Sequence, residues 1–469
     1  MNYTVLLNRY TAFVLAAMLL QTAAAFAKKQ EPPPLTLNDA LVAAYQKNPD
    51  LEAARASLRS VDETYAQAAA GFKPSVSGTA DYTSNHNKIN TGALNSDPKT
   101  LSLAVTQSLY SGGSTVAKVS GSYNKIKAER AALKAVEQLV LSDAVAAYMN
   151  FIRDRKIVEL NANNEKVLKS HLQAARERFN LGDITKTDVS QAESRLAGAT
   201  AGLIAAGGQV KKSRAAFEQV IGLSPLNLQK PEWAVSIPAT EQEALEMAEK
   251  NNPSIIMARY SEDAARDSTR SIEGESLPQV NLTGSVGKIY DPAAYASRRE
   301  NTQSVGVRAT LPLYTGGSTS SRVRQSRQTE NQMRMKTFSA QRAVRQAVIE
   351  AWEGFTAAVA ESRALQAQAT AAKLALDGVK VEANFGSRTT LNLLDAEHEY
   401  LNAQVALVGA ETTRIIAAYE ILSSIGRLTA TDLRLKAVPY DPLKNFQNVN
   451  KGGFSSDVAI FRGDFTKIK

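Results

Sequence analysis

The chain has 469 residues and a formal charge of +9, from 55 Lys and Arg against 46 Asp and Glu. The basic excess is spread along the chain without clusters or aromatic platforms, which argues against a nucleic-acid partner and fits the solvated faces of long helices. There is no cysteine, which excludes a disulfide framework, a thiol nucleophile and a lipid-bearing cysteine.

Arg9, an apolar stretch from Thr11 to Leu20, and Ala25-Phe26-Ala27 before Lys28-Lys29 read in order as a secretory signal peptide over residues 1–27. The alternative, an anchoring helix, is short of the roughly 20 apolar residues that a span requires. Beyond Ala27 no run of about 18 apolar residues occurs, so an ordinary membrane helix is excluded. A closed β-barrel is then the remaining way for the polypeptide itself to cross a bilayer.

The rest of the chain is largely one pattern written twice. Ala40-Leu41 returns as Ala244-Leu245, 204 positions later, Asn48-Pro49 as Asn252-Pro253, and Leu109-Tyr110-Ser111-Gly112-Gly113-Ser114 as Leu313-Tyr314-Thr315-Gly316-Gly317-Ser318. Gly182 matches Gly386 and Ile221-Gly222 matches Ile425-Gly426 at the same offset, without insertion or deletion. Loops ordinarily tolerate length change, so the constant spacing implies lengths set from outside, by a membrane or a fixed gap. The pattern divides the chain into a first repeat over 28–235, a second over 236–439, and a polar tail over 440–469.

Each copy opens with a helical stretch, Thr36 to Gly71 and Thr240 to Gly274, interrupted once where Asn48 or Asn252 caps a helix that restarts at the following proline. Two alternating runs come next, Ser75 to Tyr82 and Leu101 to Leu109, and in the second copy Val280 to Val286 and Val305 to Leu313. Period two predicts strands with one apolar and one polar face. They form hairpins over about 74–110 and 278–314, joined by Asn-, Asp-, Ser- and Gly-rich loops at 83–100 and 288–303. Alternation alone fits a membrane strand or a soluble hairpin on a core equally.

From Ser114 to about Asn180 no proline occurs and helix formers dominate. At about 1.5 Å per residue this predicts a helix of roughly 100 Å, returning as a second helix from Thr185 to Ile221, and the pair recurs over Ser318 to Asn384 and Thr389 to Ile425. Apolar positions such as Val136, Val140, Ala144 and Ala147 recur at three and four, so these helices pack as coiled coils. Four strands per chain leave two edges of unpaired backbone groups, intolerable in hydrocarbon. Bacterial barrels begin at about eight strands, so several chains must share one.

The duplicated halves, the Asn-Pro breaks, the two Leu-Tyr-Ser/Thr-Gly-Gly junctions and the turns at Arg178-Phe179-Asn180-Leu181-Gly182 and Gly386-Ser387-Arg388-Thr389 resemble the TolC family of outer-membrane efflux and secretion channels. The resemblance covers about Leu35 to Leu433. It implies a mainly α fold with a membrane β-barrel: a homotrimer whose twelve strands close one barrel in outer-membrane lipid, continuous with a long α-helical barrel across the periplasm. It also implies passive conduction from an inner-membrane ABC or RND transporter and its periplasmic adaptor, a membrane fusion protein, in type I secretion or multidrug efflux, with no cofactor.

The same resemblance places a pore constriction at Asp395, with Asn392 standing where another acid is common, and gating links from Arg388 to Asp188 and Thr187 of a neighbouring chain. The family aromatic before the second turn falls on Ala383 here, while Phe179 fills that place in the first turn. The plain alternative for Arg388, Asp188 and Asp395 is solvated charge near helix ends. As rival functions, an enzyme lacks support, since His86, His171 and His398 are scattered and no nucleophile, phosphate or metal motif accompanies them. A soluble periplasmic coiled-coil adaptor shares the long helices but ordinarily has one helical hairpin rather than two.

Overall fold

The computed structural model describes residues 35–89, 92–231, 236–290, 299–385 and 387–451. The expected signal peptide over 1–27 lies outside the described residues, as do 291–298 in the second strand loop and the chain beyond Lys451. Helix α1 (Leu37–Lys47) starts at Thr36, whose hydroxyl accepts the Asp39 amide while Asp39 takes the Thr36 amide. Asn48 then stops α1 and starts α2 (Pro49–Ala69), its side chain accepting the amides of Asp50 and Leu51. The second copy repeats the break with α5 (Glu241–Asn251) and α6 (Pro253–Gly274), capped by Asn252.

A short 3-10 turn, Ala70–Phe72, leads from α2 to β1 (Ser75–Tyr82). The loop expected at 83–100 holds a small hairpin of its own, β2 (Asn85–Ile89) with β3 (Gly92–Ser96), before β4 (Lys99–Ser111). The second copy contributes β5 (Gln279–Tyr290) and β6 (Arg299–Thr310). Strand β6 ends before the expected Leu313. Pro312 lacks the amide that would continue the ladder, whereas Ser108 holds that position in the first copy and β4 runs on to Ser111 across an irregularity between Ser108 and Tyr110.

The four main strands form one antiparallel sheet in the order β1-β4-β5-β6. Residues opposed across antiparallel strands share a face, and here the faces stay in phase across the sheet. Val76, Val105, Gly284 and Val305 stand in one row, and the next row, on the opposite face, is Ser77, Ala104, Ser285 and Ser304. The apolar face, with Leu101, Leu103, Val305 and Val307, is exposed. On the polar face hydroxyls pair across strands, Thr79 with Ser102 at 2.6 Å and Ser285 with Ser304 at 2.8 Å.

Each strand passes into a helix in the same order. Helix α3 (Ser114–Asn180) follows β4 and α7 (Ser318–Asn384) follows β6, each 67 residues long or roughly 100 Å. Side by side run α2, α3, α6 and α7, so that α2 continues the β1 edge and α7 the β6 edge. The returning helices are α4 (Lys186–Ile221), against α3, and α8 (Thr390–Ser424), against α7.

The main core lies midway along the helices, around Leu41, Leu141, Tyr148, Phe217, Ile221, Ile421 and Ile425. The Tyr148 hydroxyl lies within hydrogen-bond reach of the Leu35 and Gln229 carbonyls, and burial pushes its pKa up to about 12. The polar tail begins by packing on this region: in α9 (Lys444–Lys451), Phe446 stacks edge-on to Tyr65 and Asn445 bonds Asp62 at 2.9 Å. No helix among the described residues is long and apolar enough to cross a membrane.

Candidate functional site

The end of the molecule away from the sheet is made of the α3–α4 and α7–α8 turns. In the first, Gly182 takes φ of +82° and the amides of Gly182 and Asp183 reach back to the carbonyls of Phe179 and Arg178, closing α3. Thr185 then opens α4 as half of a capping box with Asp188. Thr389 opens α8 the same way with Asn392. Asp188 and Asn392 are thus one position in the two repeats, each bound to the threonine three residues before it. The signal is present in the sequence as Thr-x-x-Asp and Thr-x-x-Asn, although the family resemblance points both residues to other roles. Hydrogen bonds from the Thr185 amide and hydroxyl hold the Asp188 carboxyl below the usual range.

Arg388 bonds Glu382 across its own turn, Nε to Oε2 at 2.7 Å, and Ser387 donates to the Glu382 carbonyl. Among the described residues no ion pair within the chain joins Arg388 to Asp188. Thr187 is exposed, as are Asn392 and Asp395. Asp395, however, has a partner that the sequence does not disclose: Arg195 of α4, Nη2 to Oδ1 at 2.5 Å. Two residues on, Glu397 is 8 % exposed and takes Lys380 of α7 at 2.8 Å, with His171 of α3 at 3.9 Å. Burial pushes the Glu397 carboxyl up, but His171 and Lys380 outweigh it and its pKa lies below the usual value. Beside these carboxylates Leu394 joins Leu168, Leu172, Ala175, Ala192 and Ala199 of the first hairpin in a second small core.

At the outermost tip Phe179, Leu181 and Phe385 stand exposed. Phe385 supplies an aromatic beside the second turn, where Ala383 alone suggests none. The tip therefore combines an apolar rim with carboxylates that are paired locally, Asp188 by Thr185, Glu382 by Arg388 and Asp395 by Arg195. Among the described residues no group of His, Asp and Glu is arranged to hold a metal ion.

A family model described as outer membrane efflux protein matches the chain twice, over residues 40–223 and 244–427. The outer membrane efflux protein BepC of Brucella suis is 35% identical over 420 residues, covering 89% of this chain and 91% of the relative. The outer membrane protein TolC of Escherichia coli is 25% identical over 408 residues, covering 82% of this chain and 81% of its own. Among solved structures, the Campylobacter jejuni CmeC outer membrane channel superposes with a TM-score of 0.76 at 15% identity, over 88% of this chain and 89% of that one. With its in-phase exposed sheet, its paired long helices and a double family match over most of its length, the chain belongs to the TolC family of outer membrane efflux proteins and is a channel protein of the outer membrane.

Proposed function

We propose that three copies of this chain close one barrel and one helical tunnel, a passive conduit that receives substrates from an inner-membrane ABC or RND transporter through a periplasmic adaptor. The observation that carries this reading is the sheet: an exposed apolar face in register over four strands, ending in two unpaired edges. Open edges are costly in hydrocarbon, and the edges β1 and β6 differ, so the junction is head-to-tail and closes as a ring. The number three comes from the family resemblance. The exposed Phe179, Leu181 and Phe385 give the adaptor an apolar rim to dock on. Both multidrug efflux and type I protein secretion fit this reading, since the Brucella relative is named an efflux protein and other relatives are named for protease secretion.

The repeat also supplies the docking register. Inside one chain α3 meets α6 with Ser114 Oγ 2.9 Å from Ser271 Oγ. The positions 204 residues away are Ser318 on α7 and Gln67 on α2, both exposed in the single chain. In the proposed ring they face each other across the seam. Because the protein has no cysteine, Gln67→Cys with Ser318→Cys should give covalently linked trimers on non-reducing gels, and each single variant should give none. Only monomers from the double variant would overturn the seam.

We further propose the repeat bounds 28–235 and 236–439, a tail over 440–469, and a mouth at the tip where Asp395 and Asn392 line the constriction and Arg388 links to Asp188 and Thr187 of the next chain. Asp188→Ala and Arg388→Ser should then raise single-channel conductance in planar bilayers. Unchanged conductance in both removes the link.

A further inference from the structure

Ion pairs near the tip fall into two classes. Arg176 with Glu193 joins α3 to α4, and Arg388 with Glu382 closes one turn, so each lies within a single helical hairpin. Arg195 with Asp395 runs instead between the α3–α4 hairpin and α8, and His171 Nε2 lies 3.9 Å from Glu397 Oε1 across the same boundary. Both carboxylates belong to a four-residue stretch, Leu394 to Glu397. Its first residue, Leu394, is 2 % exposed and inserts among Leu168, Leu172, Ala175, Ala192 and Ala199 of the first hairpin. A single turn of α8 therefore presents an apolar knob flanked by two anionic arms.

We propose that this turn is a clasp holding the two hairpins of one chain together at the mouth, and that Arg195 sets both the tightness and the ion preference of the mouth by neutralising Asp395. The proposal rests on the reading of the tip as the tunnel mouth. A carboxylate held at 2.5 Å by a guanidinium presents little net charge to a passing ion, because the pair forms a short charge-assisted bond. The ring that Asp395 would form is compensated, and removing either partner exposes the other. The side chains are 39% and 53% exposed, so the pair is worth only roughly a two- to fivefold change in the conducting fraction. Glu397 is better buried and gripped by Lys380, so it anchors the turn on the α7 side while Arg195 latches it to α4.

The test uses the purified full-length protein in planar bilayers under a KCl gradient. Arg195→Ala and Asp395→Ala should both raise mean conductance roughly two- to fivefold. Their reversal potentials should move in opposite directions, toward K+ when Asp395 is left bare and toward Cl− when Arg195 is. A purely structural loosening gives no such opposed shift. The exchange Arg195→Asp with Asp395→Arg should restore wild-type conductance, since the exposed pair re-forms with reversed polarity. Wild-type conductance and reversal potential in both single variants, or an exchange that behaves like them, overturns the clasp while leaving the channel intact. A wild-type protein that forms no channels at all removes the channel reading and the clasp with it.

Discussion

At the scale of single residues, Asn48 and Asn252 show one side chain serving two helices. The side-chain Oδ1 of Asn48 caps α2, as the Asn-Pro sequence predicts, while its Nδ2 donates to Val220 O near the end of α4 at 3.0 Å. Asn252 does the same for Ser424 O of α8 at 2.8 Å. The last carbonyls of a helix lack partners within it, so each asparagine starts one helix and satisfies the end of another. The cap is local and legible in the sequence. The donation spans 172 positions and is not. Asn48→Ala should lower stability by about 2 kcal/mol, the sum of a lost cap and a lost buried bond, and Asn48→Ser, which caps without reaching Val220, by about half as much. Urea unfolding of detergent-solubilised protein, followed by circular dichroism, measures both. Equal losses would mean that the Val220 contact contributes nothing.

At the scale of elements, strand-to-helix junctions that look the same in sequence differ in surroundings. Gly112 and Gly316 both have φ of +64°, a conformation that costs a side chain roughly 1–2 kcal/mol. A Cβ on Gly112 would lie 2.1 Å from Gly274 O, while one on Gly316 meets nothing within 4 Å. Gly112→Ala should therefore fail to fold, seen as lost helical signal. Gly316→Ala should fold and show its defect only on assembly, as a reduced oligomer band on gels. If both variants fail alike, the second junction is filled from within the chain. Helix lengths are readable because the Gly-Gly and Thr-x-x-Asp/Asn borders are local chemistry. The early stop of β6 is readable too, in Pro312, but alternation through Leu313 obscures it.

At the scale of the whole molecule, the sheet separates lipid from water by one residue of register. Leu103 and Ser102 are neighbours on opposite faces. Leu103→Arg should cost roughly 2–4 kcal/mol at the bilayer midplane and deplete the heat-modifiable oligomer from outer-membrane fractions, whereas Ser102→Arg should leave its amount unchanged. Equal depletion would mean that the two faces are not sorted between lipid and water.

Periodicity, caps and breakers are properties of neighbouring residues, and with the fixed 204-residue offset the sequence alone determined the long helices, the four main strands, the repeat and the family. It did not determine the β2–β3 hairpin, the early end of β6 or the helix in the tail. Which helix lies beside which and the partner of Asp395 join residues distant in the chain, 200 positions apart for Arg195 and Asp395 and 383 for Asp62 and Asn445. Such pairings depend on how distant elements pack rather than on any local preference, so only the tertiary structure decided them.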